Sequence, residues 1–186
     1  MSVIEALQLK GVELLSHDSK GSVKRVKAED ALNGKTVGIY FSASWCPPCH
    51  AFTPHLARVY AAVKKTHPDF EILFVSGDKT KAAAEAYFDK MPWLAVSFED
   101  VAMRGRLNSL FTVMGIPRLV ICGPDGQVIA SDARVAVQND AEGEQFPWDG
   151  SSTAGQALLG TFLSPRGIMM IALIAYWIAQ YFGYIK

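Results

Sequence analysis

The chain is poor in cysteine, with three in 186 residues, and has no excess charge, with 18 basic against 18 acidic side chains. Three thiols are too few for the disulfide framework of a small secreted domain. Balanced charge supplies no field for nucleic acid, so no nucleic-acid partner is expected. Nine prolines and 15 glycines are ordinary usage, which excludes collagen-like and low-complexity classes. The opening MSVIEALQLK has neither a long apolar core nor a small-residue cleavage site. An intracellular, reducing compartment is therefore expected.

Charge is also missing locally. Between Ile168 and Ile185 no residue is charged, and only Gln180 and Gly183 fall outside the apolar set. At 1.5 Å per residue this run covers about 27 Å, the thickness of a bilayer's hydrocarbon core. One glutamine does not make the polar face of a buried amphipathic helix, so a transmembrane helix is expected over 167–186. Only Lys186 follows the uncharged run, which implies insertion after synthesis. The expectation is a tail anchor in a lipid bilayer, at the mitochondrial outer membrane or the endoplasmic reticulum, with the rest facing the cytosol. The preceding PWDGSSTAGQALLGTFLSPRG is small, polar and suited to a tether. The expected division is a domain over 1–149, a linker over 150–166 and the anchor over 167–186.

Within the domain, residues 1 to 34 are weakly patterned: Val12 to Leu15 suggests a short strand, and Asp18 to Gly21 and Asn33-Gly34 suggest turns. Lys35 to Ser42 and Phe70 to Ser76 are β-rich runs suited to buried strands. Between them Phe52, Leu56, Val59, Tyr60 and Val63 recur at helical spacing. That helix should start with Cys46 as N-cap and Pro47 at the first position, where a missing N–H costs nothing, and be kinked at Pro54. Helices are expected over Thr80 to Lys90 and Val101 to Thr112. Leu119 to Cys122 and Gln127 to Ser131 then form a hairpin about Gly123-Pro124-Asp125-Gly126. This order gives an α/β fold with a central mixed sheet flanked by helices.

The chemistry lies in Trp45-Cys46-Pro47-Pro48-Cys49. A cysteine at a helix N-terminus faces partial positive charge, which favours the thiolate, and Cys49 lies one turn on, in reach of a disulfide. With prolines at the first two positions, the Cys49 amide is the one early donor left for the Cys46 sulfur, so a moderately lowered thiol pKa is expected. Three other uses of the pair are weaker. Cys122, His50, His55 and His67 offer no second ligand pair for zinc, so no metal site is expected. Cys46 to His50 also fits the c-type haem pattern C-x-x-C-H, but the two prolines and preceding strand serve no purpose there. A purely structural thiol pair conflicts with the exposure expected of a strand-to-helix turn. Cys122 alternates inside a strand and should be a buried, inert thiol; His50 and His55 should be surface residues.

FSASWCPPC, KMPWLAVSFED, GIP, SDARV and FPW, in this order, resemble tryparedoxin, a thioredoxin-fold dithiol protein, with nucleoredoxin the nearest relative. The resemblance covers roughly residues 10 to 149 and implies a thioredoxin-like fold and thiol–disulfide exchange. It implies Cys46 as the attacking thiol, Cys49 as the resolving one and Trp45 as an aromatic lid, with Pro47 and Pro48 at the substrate face. Ile116-Pro117 matches the family's cis-proline loop, and Arg134 the arginine that meets a carboxylate of trypanothione. Trypanothione is the implied reductant, peroxiredoxin and other protein disulfides the implied acceptors; no bound cofactor is implied. A nucleoredoxin-type redox-sensing adaptor is the other reading. The chain departs from the family at Gly77-Asp78-Lys79, where Trp-Asp-Glu is usual, and at Arg118, where Thr is usual. Tyr40 stands where thioredoxins carry a buried acid, so Asp78 becomes the candidate proton acceptor, and Lys79 should oppose docking of a substrate bearing ammonium groups.

Overall fold

The computed structural model describes residues 1–150. Its centre is a seven-stranded sheet ordered β2-β1-β5-β4-β3-β6-β7. The strands are β1 (Glu13–His17), β2 (Val23–Lys27), β3 (Thr36–Ser42), β4 (Phe70–Ser76), β5 (Leu94–Val96), β6 (Arg118–Cys122) and β7 (Val128–Ala130). β3, β4 and β5 run parallel, while β1, β6 and β7 pair antiparallel to their neighbours. The helices are α1 (Val3–Ala6), α2 (Ala28–Leu32), α3 (Pro47–Thr66), α4 (Lys81–Phe88), α5 (Val101–Leu110) and α6 (Arg134–Gln138). Residues Met1–Asp149 form one compact unit.

All seven residues of β3 and of β4 are buried, which is why both strands read as continuous apolar runs rather than alternating ones. Successive side chains serve different cores. Tyr40, Ile72 and Phe74 pack with Phe52, Leu56 and Trp93; Val37, Ile39, Phe41, Leu73 and Val75 pack with Leu7, Met103 and Leu107 on the other face. The FPW segment closes the first core. Phe146 lies tilted against Phe70 with ring centroids 4.8 Å apart, and Trp148, 4% exposed, donates from Nε1 to Asp140 Oδ2 at 2.8 Å.

The central strands, α3, α4 and the β6–β7 hairpin lie where the sequence patterns put them, with ends shifted by a few residues. α5 ends two residues early, and Thr112 takes a positive φ of 48°. α3 runs through Pro54 as one helix. The weakly patterned start contributes more than one short strand: β1 and β2 form a hairpin whose Leu14 pairs with Val96 of β5. β2, at the sheet edge, is mostly exposed, and β1 beside it is mostly half-buried, so no strong hydrophobic period marks them.

The membrane expectation needs correction. Among the described residues no helix is long and apolar enough to cross a membrane; the longest, α3, carries Arg58, Lys64 and Lys65. The segment expected to form the anchor, 167–186, lies outside the described residues, as does the expected linker beyond Gly150. The tail-anchored localisation, with its bilayer partner and cytosolic orientation, is withdrawn.

Candidate active site

β3 delivers the chain to Ala43-Ser44-Trp45, and α3 starts two residues later, at Pro47. Cys46 is the N-cap in extended conformation (φ −95°, ψ 108°), followed by prolines at the first two helical positions. Those positions have no N–H to satisfy, and their fixed φ suits a helix start. Cys46 and Cys49 are joined as a disulfide with Cα atoms 5.3 Å apart. The Cys49 amide, expected to face the Cys46 sulfur, donates to the Cys46 carbonyl at 3.0 Å, and the His50 amide to the same oxygen at 3.3 Å.

Exposure at this turn is uneven, where the sequence led one to expect an exposed turn. Cys46 is 3% exposed and Cys49 fully buried, whereas Trp45 is 56% exposed. The sulfurs tuck in among Ala43 and Ile116, leaving Trp45, Pro47 and Pro48 at the surface. The Ile116–Pro117 bond is cis, and the Ile116 carbonyl oxygen stands 3.7 Å from Cys46 Sγ. Met114, two residues before, is 89% exposed. Arg118 steadies this loop, donating from Nε to the Ser131 carbonyl and from Nη1 to the Thr112 carbonyl.

The loop after β4 clasps the approach to the dithiol. Gly77 donates its amide to the Ser42 carbonyl at 2.8 Å and accepts Trp45 Nε1 at 3.1 Å. Asp78, expected as the proton acceptor, is 6% exposed with both carboxylate oxygens engaged by serines. Oδ1 accepts the Ser44 amide at 2.9 Å and the Ser44 hydroxyl at 2.6 Å; Oδ2 accepts the Ser76 hydroxyl at 2.8 Å. This carboxylate braces the turn that carries Trp45. Lys79, beside it, is exposed.

Arg134 is held by its own neighbour. Its Nε and Nη2 clamp the Asp132 carboxylate at 2.6–2.9 Å, so the guanidinium expected to meet a substrate carboxylate already binds one. Burial works to raise the Asp132 carboxyl, but the hydrogen bonds and charge of Arg134 overcome it and hold the group below its ordinary range.

Four residues that sequence reasoning did not assign lie under Cys49: Tyr40 and Ser42 of β3, Thr53 of α3 and Tyr87 of α4. Their hydroxyls form one buried network that reaches the Cys49 carbonyl through Tyr87. Nothing in the local sequence of Tyr87 marks it. Cys122 is buried, and its thiol is pushed up to about 12, chiefly by desolvation and then by Asp125. His50 is exposed, its Nε2 bonded to the Ser44 carbonyl; His55 Nε2 meets the Val137 carbonyl at 2.9 Å. Among the described residues no cluster of three or more His, Cys, Asp or Glu is arranged for a metal.

What remains is a dithiol–disulfide pair on a strand-to-helix turn, faced by a backbone carbonyl and bordered by apolar surface. Comparisons with known proteins agree with this. A model of thioredoxin-like proteins matches residues 33–128. Nucleoredoxin of Mus musculus is 47% identical over 118 residues, 63% of this chain and 27% of that protein. The chain thus spans about a quarter of the length of the curated relatives it matches. The tryparedoxin of Trypanosoma brucei is 38% identical with a TM-score of 0.70, covering 80% of this chain and 99% of its own. A tryparedoxin II solved in complex with glutathionylspermidine is 38% identical with a TM-score of 0.71, covering 79% and 99%. The chain belongs to the thioredoxin-like family, and the Cys46–Cys49 disulfide lies within the residues that carry the match.

Proposed function

We propose that residues 1–149 act as a tryparedoxin-like thiol–disulfide oxidoreductase that takes electrons from trypanothione and passes them to peroxiredoxins and other protein disulfides. The observation that carries this is the Ile116 carbonyl set 3.7 Å from Cys46 Sγ beside the exposed Trp45. It offers a bound thiol or peptide a backbone partner next to the attacking sulfur. The 38% identity to a tryparedoxin that binds glutathionylspermidine supports the choice of reductant.

In the forward reaction the Cys46 thiolate attacks one sulfur of the acceptor disulfide, forms a mixed disulfide and expels the other sulfur as thiolate. Cys49 then loses its proton and attacks the Cys46 sulfur, closing Cys46–Cys49 and expelling the second acceptor thiolate. Two electrons and two protons reach the acceptor. The two thiols of trypanothione run these steps in reverse and leave as a disulfide. Trp45, Pro47, Pro48, Ile116 and Pro117 make the face against which the substrate lies. Asp78 holds that face in shape, and Arg134 meets a substrate carboxylate by exchanging it for Asp132.

The 47% identity to nucleoredoxin favours a second reading, a redox-sensing adaptor whose dithiol state controls partner binding. A coupled assay with trypanothione, trypanothione reductase and a peroxiredoxin separates them. Sustained NADPH consumption is expected. Reduction of Cys46–Cys49 by dithiothreitol but not by trypanothione would overturn the reductant. Reduction by trypanothione without peroxiredoxin turnover would favour the adaptor.

A further inference from the structure

The hydroxyl network under the dithiol has a direction, fixed by counting protons. The Cys49 carbonyl can only accept, and it receives the Tyr87 hydroxyl at 3.3 Å. Tyr87 has one proton, so it accepts from both other partners, Thr53 Oγ1 at 2.6 Å and Ser42 Oγ at 3.1 Å. Thr53 has thereby used its own proton, so Tyr40 donates to it at 2.8 Å. Every proton in the network points towards Cys49. Tyr40 and Ser42 are fully buried, Tyr87 is 3% exposed and Thr53 4%. Burial pushes the Tyr40 phenol well above its ordinary value, so it serves as a neutral donor. Hydrogen bonds chained in this way polarise one another in a low-dielectric interior.

The network ends in the first turn of α3. Pro47 and Pro48 have no N–H. The Cys49 amide is tied to the Cys46 carbonyl at 3.0 Å, and its carbonyl is tied to Tyr87. The Cys49 amide is thus held from the N-cap, and its carbonyl, already part of α3, takes a donor from outside the helix, from α4, thirty-eight positions away in sequence.

We propose that Tyr87 is a positioning residue for the second half of the exchange: by holding the Cys49 carbonyl it keeps the Cys49 sulfur in line with Cys46 once Cys46 is committed to a mixed disulfide. The first half, attack by Cys46 on an outside disulfide, does not use this bond. The inference rests on the thiol–disulfide exchange reading above and deepens it.

The test uses the reduced full-length protein and dithionitrobenzoate, an aromatic disulfide that releases a coloured thiolate at each step. Attack by Cys46 forms the mixed disulfide and releases the first thiolate; attack by Cys49 on the Cys46 sulfur closes the protein disulfide and releases the second. Tyr87→Phe keeps the ring that packs against Phe74 at 5.8 Å and removes only the hydroxyl. The first phase should be unchanged, and the second slowed about fivefold to tenfold. The pH midpoint of the second phase should stay in place, because the hydroxyl positions the group and takes no proton from it.

An unchanged second phase overturns the proposal. So does equal slowing of both phases, which is general loosening, or a shifted pH midpoint, which places Tyr87 in the proton path. Thr53→Val leaves the Tyr87–Cys49 bond and removes a donor into it. It should slow the second phase by an intermediate amount, and it carries the test alone if Tyr87→Phe does not fold. Slowing greater than that of Tyr87→Phe, or none, would overturn the proposal. Absence of any thiolate release by the unaltered protein would overturn thiol–disulfide exchange itself, an outcome distinct from all of these.

Discussion

Replacing Asp78 separates a brace from a proton carrier, because asparagine keeps the shape of the carboxylate and loses its charge. In the structure three hydrogen bonds enter this side chain, at 2.9, 2.6 and 2.8 Å, from a site 6% exposed to solvent. In Asp78→Ala all three are lost. The two serine hydroxyls can turn elsewhere, but the Ser44 N–H cannot, and a buried donor left unpaired costs about 1–3 kcal/mol. With the charge-assisted contribution of the other two, the expected loss is about 2–4 kcal/mol. At about 2–4 °C per kcal/mol for a chain of this size, that lowers the midpoint of thermal unfolding by roughly 5–15 °C. In Asp78→Asn the amide oxygen still accepts from Ser44 and the NH2 group turns the Ser76 contact round, so the loss should be about 1 kcal/mol. Disulfide-reductase turnover should follow the same order, with Asp78→Asn keeping most of it and Asp78→Ala losing it in step with the looser Trp45 turn. The assay is insulin reduction beside a thermal melt on the same samples. If Asp78→Asn melted like the unaltered protein yet lost more than about tenfold in turnover, the carboxylate would be carrying a proton in the reaction and the bracing argument would fail.

Three other outcomes are expected. Cys46→Ser should abolish disulfide reduction, whereas Cys49→Ser should accumulate mixed disulfides with acceptor proteins, visible on non-reducing gels; full multiple-turnover activity in Cys49→Ala would remove Cys49 from the resolving role. In the reduced native protein a limiting dose of iodoacetamide at neutral pH should label Cys46 and spare Cys122, whose thiol is buried and pushed up to about 12; mass spectrometry showing Cys122 labelled first would contradict its burial. The Asp132 carboxyl is held below its unfolded value by Arg134 against the cost of burial, so its contribution to stability is present above about pH 4 and fades as pH falls through the lowered folded value. The gap in urea midpoint between the unaltered protein and Asp132→Asn should therefore shrink towards acid, and an equal gap at neutral and acid pH would show that the pair contributes by shape alone.

The dithiol was legible in the sequence because its determinants are local. A β-rich run, two cysteines three apart, and prolines at helix positions that need no N–H together specify a strand, a turn and a helix start within about ten residues. The central strands were legible for a related reason: a strand buried on both faces needs an unbroken apolar run, and Thr36–Ser42 and Phe70–Ser76 supply one. β1 and the turn after it left a faint mark at Val12 to Leu15 and Asp18 to Gly21, but β2 left none, since a strand at the sheet edge needs little burial and keeps almost no period.

The surroundings of the dithiol were decided by tertiary structure alone. A serine, a threonine and two tyrosines are unremarkable in composition, and they form a network only because β3, α3 and α4 converge under Cys49. Asp78 reads equally well as a proton acceptor or a brace until the fold sets Ser44 and Ser76 around it. Arg134 is separated from Asp132 by one residue, yet no pattern shows which carboxylate the guanidinium will choose, its own neighbour's or a substrate's. The burial of Cys46 follows the same rule. Helix chemistry assigns the residue to a turn, but only the packing of Ala43 and Ile116 across a long stretch of chain decides that its sulfur sits beneath the surface while Trp45 stays on it. Local bonding along the chain fixes what a residue can do, and contacts between distant segments select which of those possibilities the folded protein uses.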